Sequence, residues 1–301
     1  MTATTDIPGR IGLNCALATP FGPTGDIDLA RLIDHAHWVL SKGCDGITLF
    51  GTTGEGPSVG IVERAPVFRA VAKSGVQMRL RVFAGVVASS VSDAVDQAGA
   101  AYDSDCRGLL MAPPYYYADI DDEGIYRFYA SVFERLGPRL RNVVLYHIPA
   151  TTRVGLSLDL IGRLKSSYPG AVIGVKDSAG DWPATARLLE RHGDLQVLIG
   201  DERHLARAVR MGAAGAICGV ANLCPDAMRK LAWDGREDER IEAIVELIMS
   251  RPFIPVMKAL MSRIKADAAW RRPRAPLVAL PDHLANAYME RFAALTAPVA
   301  A

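Results

Sequence analysis

The sequence predicts an α/β protein, a closed (β/α)8 TIM barrel with a helical extension at its carboxyl end. Three observations support this prediction: eight short apolar segments, an amphipathic stretch after each of them, and a chain length within the range of single barrels. The segments are apolar throughout, which is typical of parallel strands covered on both faces. Because parallel strands are joined through right-handed helical crossovers, the repeated strand–helix order predicts a barrel.

The strands are predicted where Val, Ile and Leu cluster between Gly, Pro or polar residues. They span residues 13–19, 46–50, 80–86, 108–111, 142–148, 172–175, 196–199 and 215–218. Helical periodicity predicts the intervening helices at residues 29–40, 61–73, 91–102, 124–136, 158–166, 184–191, 205–211 and 225–233. Three further helices are predicted at 241–249, 256–266 and 282–295. We therefore divide the chain into a catalytic barrel, 1–235, and a carboxy-terminal helical region, 236–301.

An open, doubly wound sheet is the alternative for the same order of elements. That fold commonly carries a GxGxxG phosphate-binding turn after its first strand. Here the first strand is followed by Pro20-Phe21-Gly22, so the closed barrel is favoured.

Composition argues against several classes of partner. The chain has 34 Lys and Arg against 33 Asp and Glu, a formal net charge of +1, so no long-range field attracts nucleic acid or anionic lipid. Residues 1–12 lack the pattern of a signal peptide, and no apolar stretch approaches the ~18 residues of a membrane span. The five cysteines form no CxxC pair. We expect a cytoplasmic protein with reduced thiols.

The loop after the second strand is a candidate binding site, because barrel enzymes place functional groups at the carboxyl ends of strands. It reads Gly51-Thr52-Thr53-Gly54-Glu55-Gly56. Glycines let the backbone approach a ligand, and the Thr hydroxyls and free N–H groups can hold a small carboxylate. A flexible turn with Thr caps is the alternative interpretation.

The sixth strand ends in a lysine, Lys176, after four apolar or small residues. A buried ammonium must be paired or lose its proton, and a neutral amine is a nucleophile for carbonyl carbons. The alternative is that Lys176 lies one residue beyond the buried part of the strand and pairs with Asp177.

The fifth strand ends with Tyr146 beside His147, and strand alternation directs the two side chains to opposite sides. We expect His147 under a helix. Tyr146, Lys176 and the threonine loop together suggest one mechanism: the amine condenses with a ketone, the loop orients a 2-oxo acid, and the phenol transfers protons.

Three segments carry a family resemblance: Gly51-Thr52-Thr53-Gly54-Glu55, Tyr146-His147-Ile148-Pro149 and Gly174-Val175-Lys176-Asp177-Ser178-Ala179-Gly180-Asp181. They resemble the dihydrodipicolinate synthase / N-acetylneuraminate lyase family, the pyruvate-dependent class I aldolases. Further similar segments at 18–21, 113–117, 199–202, 212–217 and 254–258 extend the resemblance over nearly the whole chain. It implies a barrel with a carboxy-terminal helical part, no cofactor, and a homotetramer built as a dimer of dimers.

The resemblance also implies residue roles. Lys176 would form the Schiff base with pyruvate, and Tyr146 would be the general acid/base. Thr52 and Thr53, in the loop that begins at Gly51, would bind the pyruvate carboxylate and relay protons.

Two further residues are implied by the same resemblance, and one position departs from it. Ile217 would lend a backbone carbonyl near pyruvate, and Tyr116 would reach into the neighbouring subunit's site. Synthases of the family usually carry an arginine that binds the carboxylate of aspartate semialdehyde, but the aligned residue here is Thr151, and Arg153 follows two residues later. A hydroxyl suits a neutral or polyhydroxylated partner better than a carboxylate.

We therefore predict a Schiff-base aldolase or lyase acting on a 2-keto-3-deoxy sugar acid or a similar 2-oxo acid, with Thr151 among the substrate-binding residues. The alternatives are the synthase that condenses pyruvate with aspartate semialdehyde, a sugar-acid dehydratase, and a non-catalytic barrel that binds 2-oxo acids. A metal-dependent aldolase is disfavoured because His35 and His37, two apart on a predicted helix, do not share a face.

Overall fold

A computed structural model describes residues 9–297 and shows eight parallel strands that close into a barrel in the order β1 to β8. The strands are β1 (Gly12–Ala16), β2 (Gly46–Leu49), β3 (Val82–Val86), β4 (Gly108–Met111), β5 (Val143–His147), β6 (Val172–Asp177), β7 (Gln196–Ile199) and β8 (Gly215–Cys218). Each strand pairs with the next along the chain, and β8 pairs with β1 to close the ring. The predicted barrel is confirmed.

Helices follow the strands and form the outer layer of the barrel. They are α1 (Leu29–Ser41), α2 (Ile61–Lys73), α3 (Met78–Arg81), α4 (Val91–Asp103), α5 (Asp122–Leu136), α6 (Pro149–Thr152), α7 (Leu158–Ser167), α8 (Trp182–His192), α9 (Leu205–Arg210) and α10 (Pro225–Asp234). The carboxy-terminal extension adds α11 (Glu239–Met249), α12 (Phe253–Ile264) and α13 (Asp282–Thr296).

Several predicted strand limits differ from the observed ones. The first strand ends at Ala16 rather than at residue 19, because the chain then turns toward the loop after β2, where the Thr19 hydroxyl donates to the Gly54 carbonyl at 2.7 Å. The third strand begins at Val82 because the residues before it form the short helix α3. The sixth strand continues through Asp177 rather than ending at residue 175.

The core consists of two apolar clusters, and the strands contribute to both. Along β5, Val144 and Tyr146 belong to the cluster inside the barrel, whereas Val143 and Leu145 belong to the cluster under the helices. This alternation explains why the strands are apolar throughout, since both faces are buried. It also directs Tyr146 toward the barrel axis.

The remaining sequence-based expectations concern the ends of the chain and its surroundings. Among residues 9–297, no helix is both long enough and apolar enough to cross a bilayer. Part of the amino-terminal segment considered above, residues 1–8, lies outside the described residues, as do residues 298–301. The cysteines are free thiols, four of them buried.

Candidate active site

A cavity of about 290 Å³ opens at the carboxyl ends of the strands, the end at which barrel enzymes bind their substrates. Its polar lining residues are Thr52, Thr53, Tyr146, Thr151, Lys176, Ser178, Asp201, Glu202 and Arg203. Its apolar lining includes Ile148, Val245, Met249, Phe253, Ile254 and Leu277, most of them from the carboxy-terminal extension. Three larger depressions lie away from these groups: one of about 590 Å³ between α2 and α4, one of about 580 Å³ at the opposite end of the barrel, and one of about 380 Å³ between α12 and α13.

Lys176 lies on β6 with its side chain inside the barrel and only 5% exposed. The register of β5 and β6 pairs it with Tyr146, and Nζ of Lys176 donates a hydrogen bond of 3.2 Å to the phenol oxygen. Asp177 faces the other way and accepts hydrogen bonds from the Thr185 hydroxyl at 2.6 Å and from the Ala179 N–H at 3.0 Å. The alternative in which Lys176 lies beyond the strand and pairs with Asp177 is therefore wrong.

Tyr146 links the lysine to the threonine loop. Its hydroxyl lies 3.2 Å from Nζ of Lys176 and 3.2 Å from Oγ1 of Thr52, and the residue is only 2% exposed. A phenol both donates and accepts hydrogen bonds, so it can take a proton from one neighbour and pass it to the other. The three side chains form a continuous hydrogen-bonded chain within the cavity.

His147 lies on the opposite face of β5, as strand alternation predicts. Its Nδ1 accepts a hydrogen bond of 2.9 Å from the Leu156 N–H. Burial lowers the pKa of His147, and the charge of Asp177 opposes this shift. The imidazole is therefore an acceptor under α7, outside the cavity that holds Tyr146.

The loop after β2 is a tight turn with two backbone N–H groups that point to no acceptor in the described part of the chain. The N–H of Gly56 donates to the Gly51 carbonyl at 3.0 Å, and a side chain at Gly56 would place its Cβ 1.8 Å from the Phe50 carbonyl oxygen. Glycine is therefore required for the backbone to close this tightly. The N–H groups of Thr52 and Thr53 donate to no acceptor within residues 9–297, which leaves them available to an anion.

Asp201, Glu202 and Arg203 line the cavity after β7, although sequence analysis gave them no role. Burial disfavours the charged form of Asp201. Two hydrogen bonds from the Arg203 guanidinium, at 2.7 and 3.0 Å, together with its positive charge and the Arg203 backbone N–H, outweigh burial and lower the pKa of this carboxyl. Burial raises the pKa of Glu202, although a hydrogen bond of 2.8 Å from the Val220 N–H lowers it. Their position directly after a strand was the signal that could have identified them.

Other residues singled out from the sequence are placed differently. Thr151 lines the cavity, whereas Arg153 is exposed at the end of α6 and does not line it. Gly51 is buried beside the cavity, and the Ile217 side chain packs inside the barrel below it. Tyr116 is 84% exposed on the loop after β4 and does not enter this chain's cavity. Among residues 9–297, no cluster of three His, Cys, Asp or Glu is arranged to hold a metal ion.

A family model described as the dihydrodipicolinate synthetase family matches residues 10–290. The chain belongs to this family. Its members are lyases of the class I aldolase type, so the protein is an enzyme of that class, a pyruvate-dependent aldolase or lyase. The match spans both the barrel and the carboxy-terminal helices.

Individual relatives cover most of the chain. It is 30% identical to an uncharacterized DapA-like lyase of Chloroflexus aurantiacus, over 95% of this chain and 98% of the relative. It is 32% identical to a 4-hydroxy-tetrahydrodipicolinate synthase of Azoarcus sp. (strain BH72), over 87% and 91% of the two chains. The crystal structure of dihydrodipicolinate synthase from Agrobacterium tumefaciens str. C58 superposes with a TM-score of 0.93 at 43% identity, over 96% of this chain and 100% of that one.

Gly200, at the end of β7, provides a test of how tightly the lysine is held. A Cβ at this position would lie 1.9 Å from Oγ of Ser178 and 2.9 Å from Cε of Lys176. We expect Gly200→Ala to displace the lysine and slow pyruvate imine formation about 10- to 100-fold, since a shift of about 1 Å in a reacting group costs about that much. The rate is measured by quenching with borohydride at timed intervals. The matched control is Gly99→Ala on α4, whose nearest neighbour is 3.8 Å away. Equal rates in both variants would show that Lys176 accommodates the methyl group.

Proposed function

We propose that the protein forms an imine between Lys176 and the keto carbon of a 2-oxo acid, and that it cleaves or forms the adjacent carbon–carbon bond. The observation that carries this proposal is the buried path from Lys176 through Tyr146 to Thr52, with 3.2 Å at each step. A buried amine with a phenol as its hydrogen-bond partner is suited to nucleophilic attack followed by proton transfer.

The chemistry follows from these groups. Nζ of Lys176 adds to the keto carbon, and the resulting carbinolamine loses water once Tyr146 has delivered a proton to the departing hydroxyl. The iminium then accepts the electron pair of the bond between C3 and C4, while the C4 hydroxyl returns a proton to the phenolate of Tyr146 and the fragment that contains C4 leaves as an aldehyde. The enamine takes up a proton at C3, and water releases pyruvate and regenerates the amine.

The threonine loop is proposed to bind the carboxylate of the pyruvate half. Its support is the pair of backbone N–H groups at Thr52 and Thr53, which have no acceptor within residues 9–297, together with the Thr52 hydroxyl beside Tyr146. This arrangement would leave the keto carbon directed toward Lys176.

The other half of the substrate is proposed to be a short polyhydroxylated chain, as in a 2-keto-3-deoxy sugar acid. Thr151, Ser178, Asp201 and Glu202 supply hydroxyl and carboxyl oxygens that can bind substrate hydroxyl groups. A volume of about 290 Å³ is at the lower end of the ~300–1,000 Å³ typical of ligand pockets, which favours a small substrate.

A second candidate is the condensation of pyruvate with aspartate semialdehyde. It is favoured by the names of two relatives, the synthases of Azoarcus and Agrobacterium. Against it, Thr151 offers no guanidinium for the second carboxylate, and Arg203, which lines the cavity, is engaged by Asp201. The condensation would require Arg203 to leave Asp201.

The proposed assembly is the homotetramer of the family, in which Tyr116 would enter a neighbouring subunit's site. Its support is the 84% exposure of this aromatic side chain, which packs edge to face against Tyr117, a ring that is itself 74% exposed. Sedimentation of the wild-type protein and of Tyr116→Ala would test both parts of this proposal.

The deciding experiment is borohydride reduction of the protein in the presence of pyruvate, followed by mass spectrometry of the intact chain and its peptides. We expect one stable adduct per chain, located at Lys176. Sugar acids and aspartate semialdehyde are then compared as substrates. An adduct at another lysine, or no adduct from folded protein at saturating pyruvate, would contradict the imine mechanism.

Removing the phenol hydroxyl is expected to slow the proton transfers while leaving the lysine in place. We expect Tyr146→Phe to reduce kcat about 100-fold, within the ~10²–10⁴ typical of general acid/base groups. The pyruvate adduct should still form, only more slowly, because Phe retains the ring that lies 4.3 Å from Nζ of Lys176. Tyr126→Phe, on the outer helix α5, serves as the control. Wild-type turnover in Tyr146→Phe would exclude the phenol from proton transfer.

A further inference from the structure

The segment from Arg272 to Leu277, which we call the strap, joins the carboxy-terminal extension to the mouth of the barrel. It follows the 3-10 turn Ala268–Arg271 and belongs to no helix or strand. Its last residue, Leu277, lines the cavity that holds Lys176. A segment distant in sequence thus contributes a wall of the candidate active site.

The side chain of Arg274 fastens the strap to the barrel. Its guanidinium donates to both carboxylate oxygens of Glu63, at 2.7 and 2.8 Å, and to the carbonyls of Ser58 at 2.8 Å and Gly25 at 3.0 Å. It also lies 4.4 Å from the ring centroid of Phe21. A bidentate arginine–carboxylate pair is both strong and directional, so the guanidinium is held in one orientation.

The backbone of the strap is fastened separately. The N–H of Arg274 donates to Oε2 of Glu55 at 2.8 Å, and Nζ of Lys258 donates to the Arg272 carbonyl at 2.7 Å. Glu55 and Lys258 form a buried ion pair of 2.5 Å. Because Glu55 belongs to the loop of Thr52 and Thr53, the strap and that loop are held by the same carboxylate.

These anchors determine where Leu277 lies. Its N–H closes a turn by donating to the Arg274 carbonyl at 3.0 Å, and its half-buried side chain faces the cavity together with Met249 and Phe253. Lys176 is far more deeply buried, at 5% exposure. Leu277 therefore lies in the outer part of the cavity, beyond the place where the pyruvate half would bind.

We propose that Leu277 is a specificity-determining residue that limits the length of the substrate half leaving as the aldehyde, and that Arg274 is the positioning residue that holds it there. This inference rests on the proposed function and narrows its substrate class to 2-oxo acids with a short distal chain. Holding an irregular segment in one conformation costs backbone entropy, which explains why the strap needs several anchors.

The test is the addition of pyruvate to hydroxyaldehydes of three to six carbons, with kcat/KM measured for each. In Leu277→Ala we expect the ratio of kcat/KM for the longest over the shortest aldehyde to rise about tenfold. Val278→Ala changes the adjacent residue, which is 78% exposed and does not line the cavity, and should leave the ratio unchanged. Arg274→Gln should raise KM for the short aldehydes severalfold with little change in kcat.

Pyruvate trapping at Lys176 by borohydride is measured in parallel in every variant. Intact trapping with an unchanged length preference in Leu277→Ala would overturn this inference alone. Absence of trapping in the wild-type protein would overturn the proposed function, and this inference with it. Equal shifts in Leu277→Ala and Val278→Ala would also overturn it, because the effect would then come from any change in this part of the chain and not from the residue in the cavity.

Discussion

Replacing Lys176 by alanine is expected to reduce turnover by at least about 10⁴-fold and to eliminate the borohydride-dependent adduct with pyruvate. Removing the nucleophile of a covalent mechanism can cost about as much as removing the whole set of catalytic residues. Tyr146 and Thr52 would remain, but neither can replace the amine as an electron sink for carbon–carbon cleavage. Steady-state kinetics and intact-protein mass spectrometry measure the two effects.

Two controls separate this chemical loss from misfolding. Lys165→Ala changes a lysine at the opposite end of the barrel, where it pairs with Asp194, and should retain both activity and adduct formation. Lys176→Met should unfold at a temperature equal to or above that of the wild type, because it replaces a buried amine with an apolar chain of similar length. Turnover close to wild type in Lys176→Ala would exclude imine catalysis by this residue.

Lys258→Met is expected to lower the free energy of unfolding by about 3–5 kcal/mol, the range measured when one partner of a buried ion pair is removed. Lys258 and Glu55 are 1% and 2% exposed, and their charged atoms lie 2.5 Å apart. Burial lowers the pKa of Lys258 to about 8, although the negative charge of Glu55 raises it. The amine is therefore still largely protonated at neutral pH. Without it, the Glu55 carboxylate is left in the interior with its charge uncompensated.

Urea unfolding of a double-mutant cycle measures this coupling. The double variant Glu55→Gln/Lys258→Met should lose less free energy of unfolding than the two single variants lose together, because neither replacement side chain is charged. The exposed pair of Arg79 and Asp105 is the comparison, and Arg79→Met should cost less than about 1 kcal/mol. A loss of that small size in Lys258→Met would show that the buried pair contributes no more than a surface pair.

Much of the candidate site could be anticipated because barrel topology converts sequence position into spatial position. Lys176 and Tyr146 lie at the ends of consecutive strands, and parallel pairing brings such ends together. The same reasoning did not identify the residues after β7 as part of the site. Asp201 and Glu202 also follow a strand end, but charged residues in loops are usually solvated, so their types alone did not distinguish them.

The sequence by itself determined the eightfold strand–helix order and which residue types stand at the strand ends, because the periodicity of apolar residues is local and strand alternation is strict. Only the tertiary structure decided that Lys176 is held by Tyr146 and not by Asp177, and that Leu277 lines the cavity. These outcomes depend on strand register and on contacts between segments about 200 residues apart, such as Arg274 with Glu63. Such contacts arise from packing and charge pairing between distant parts of the chain, and a local sequence pattern does not predict them.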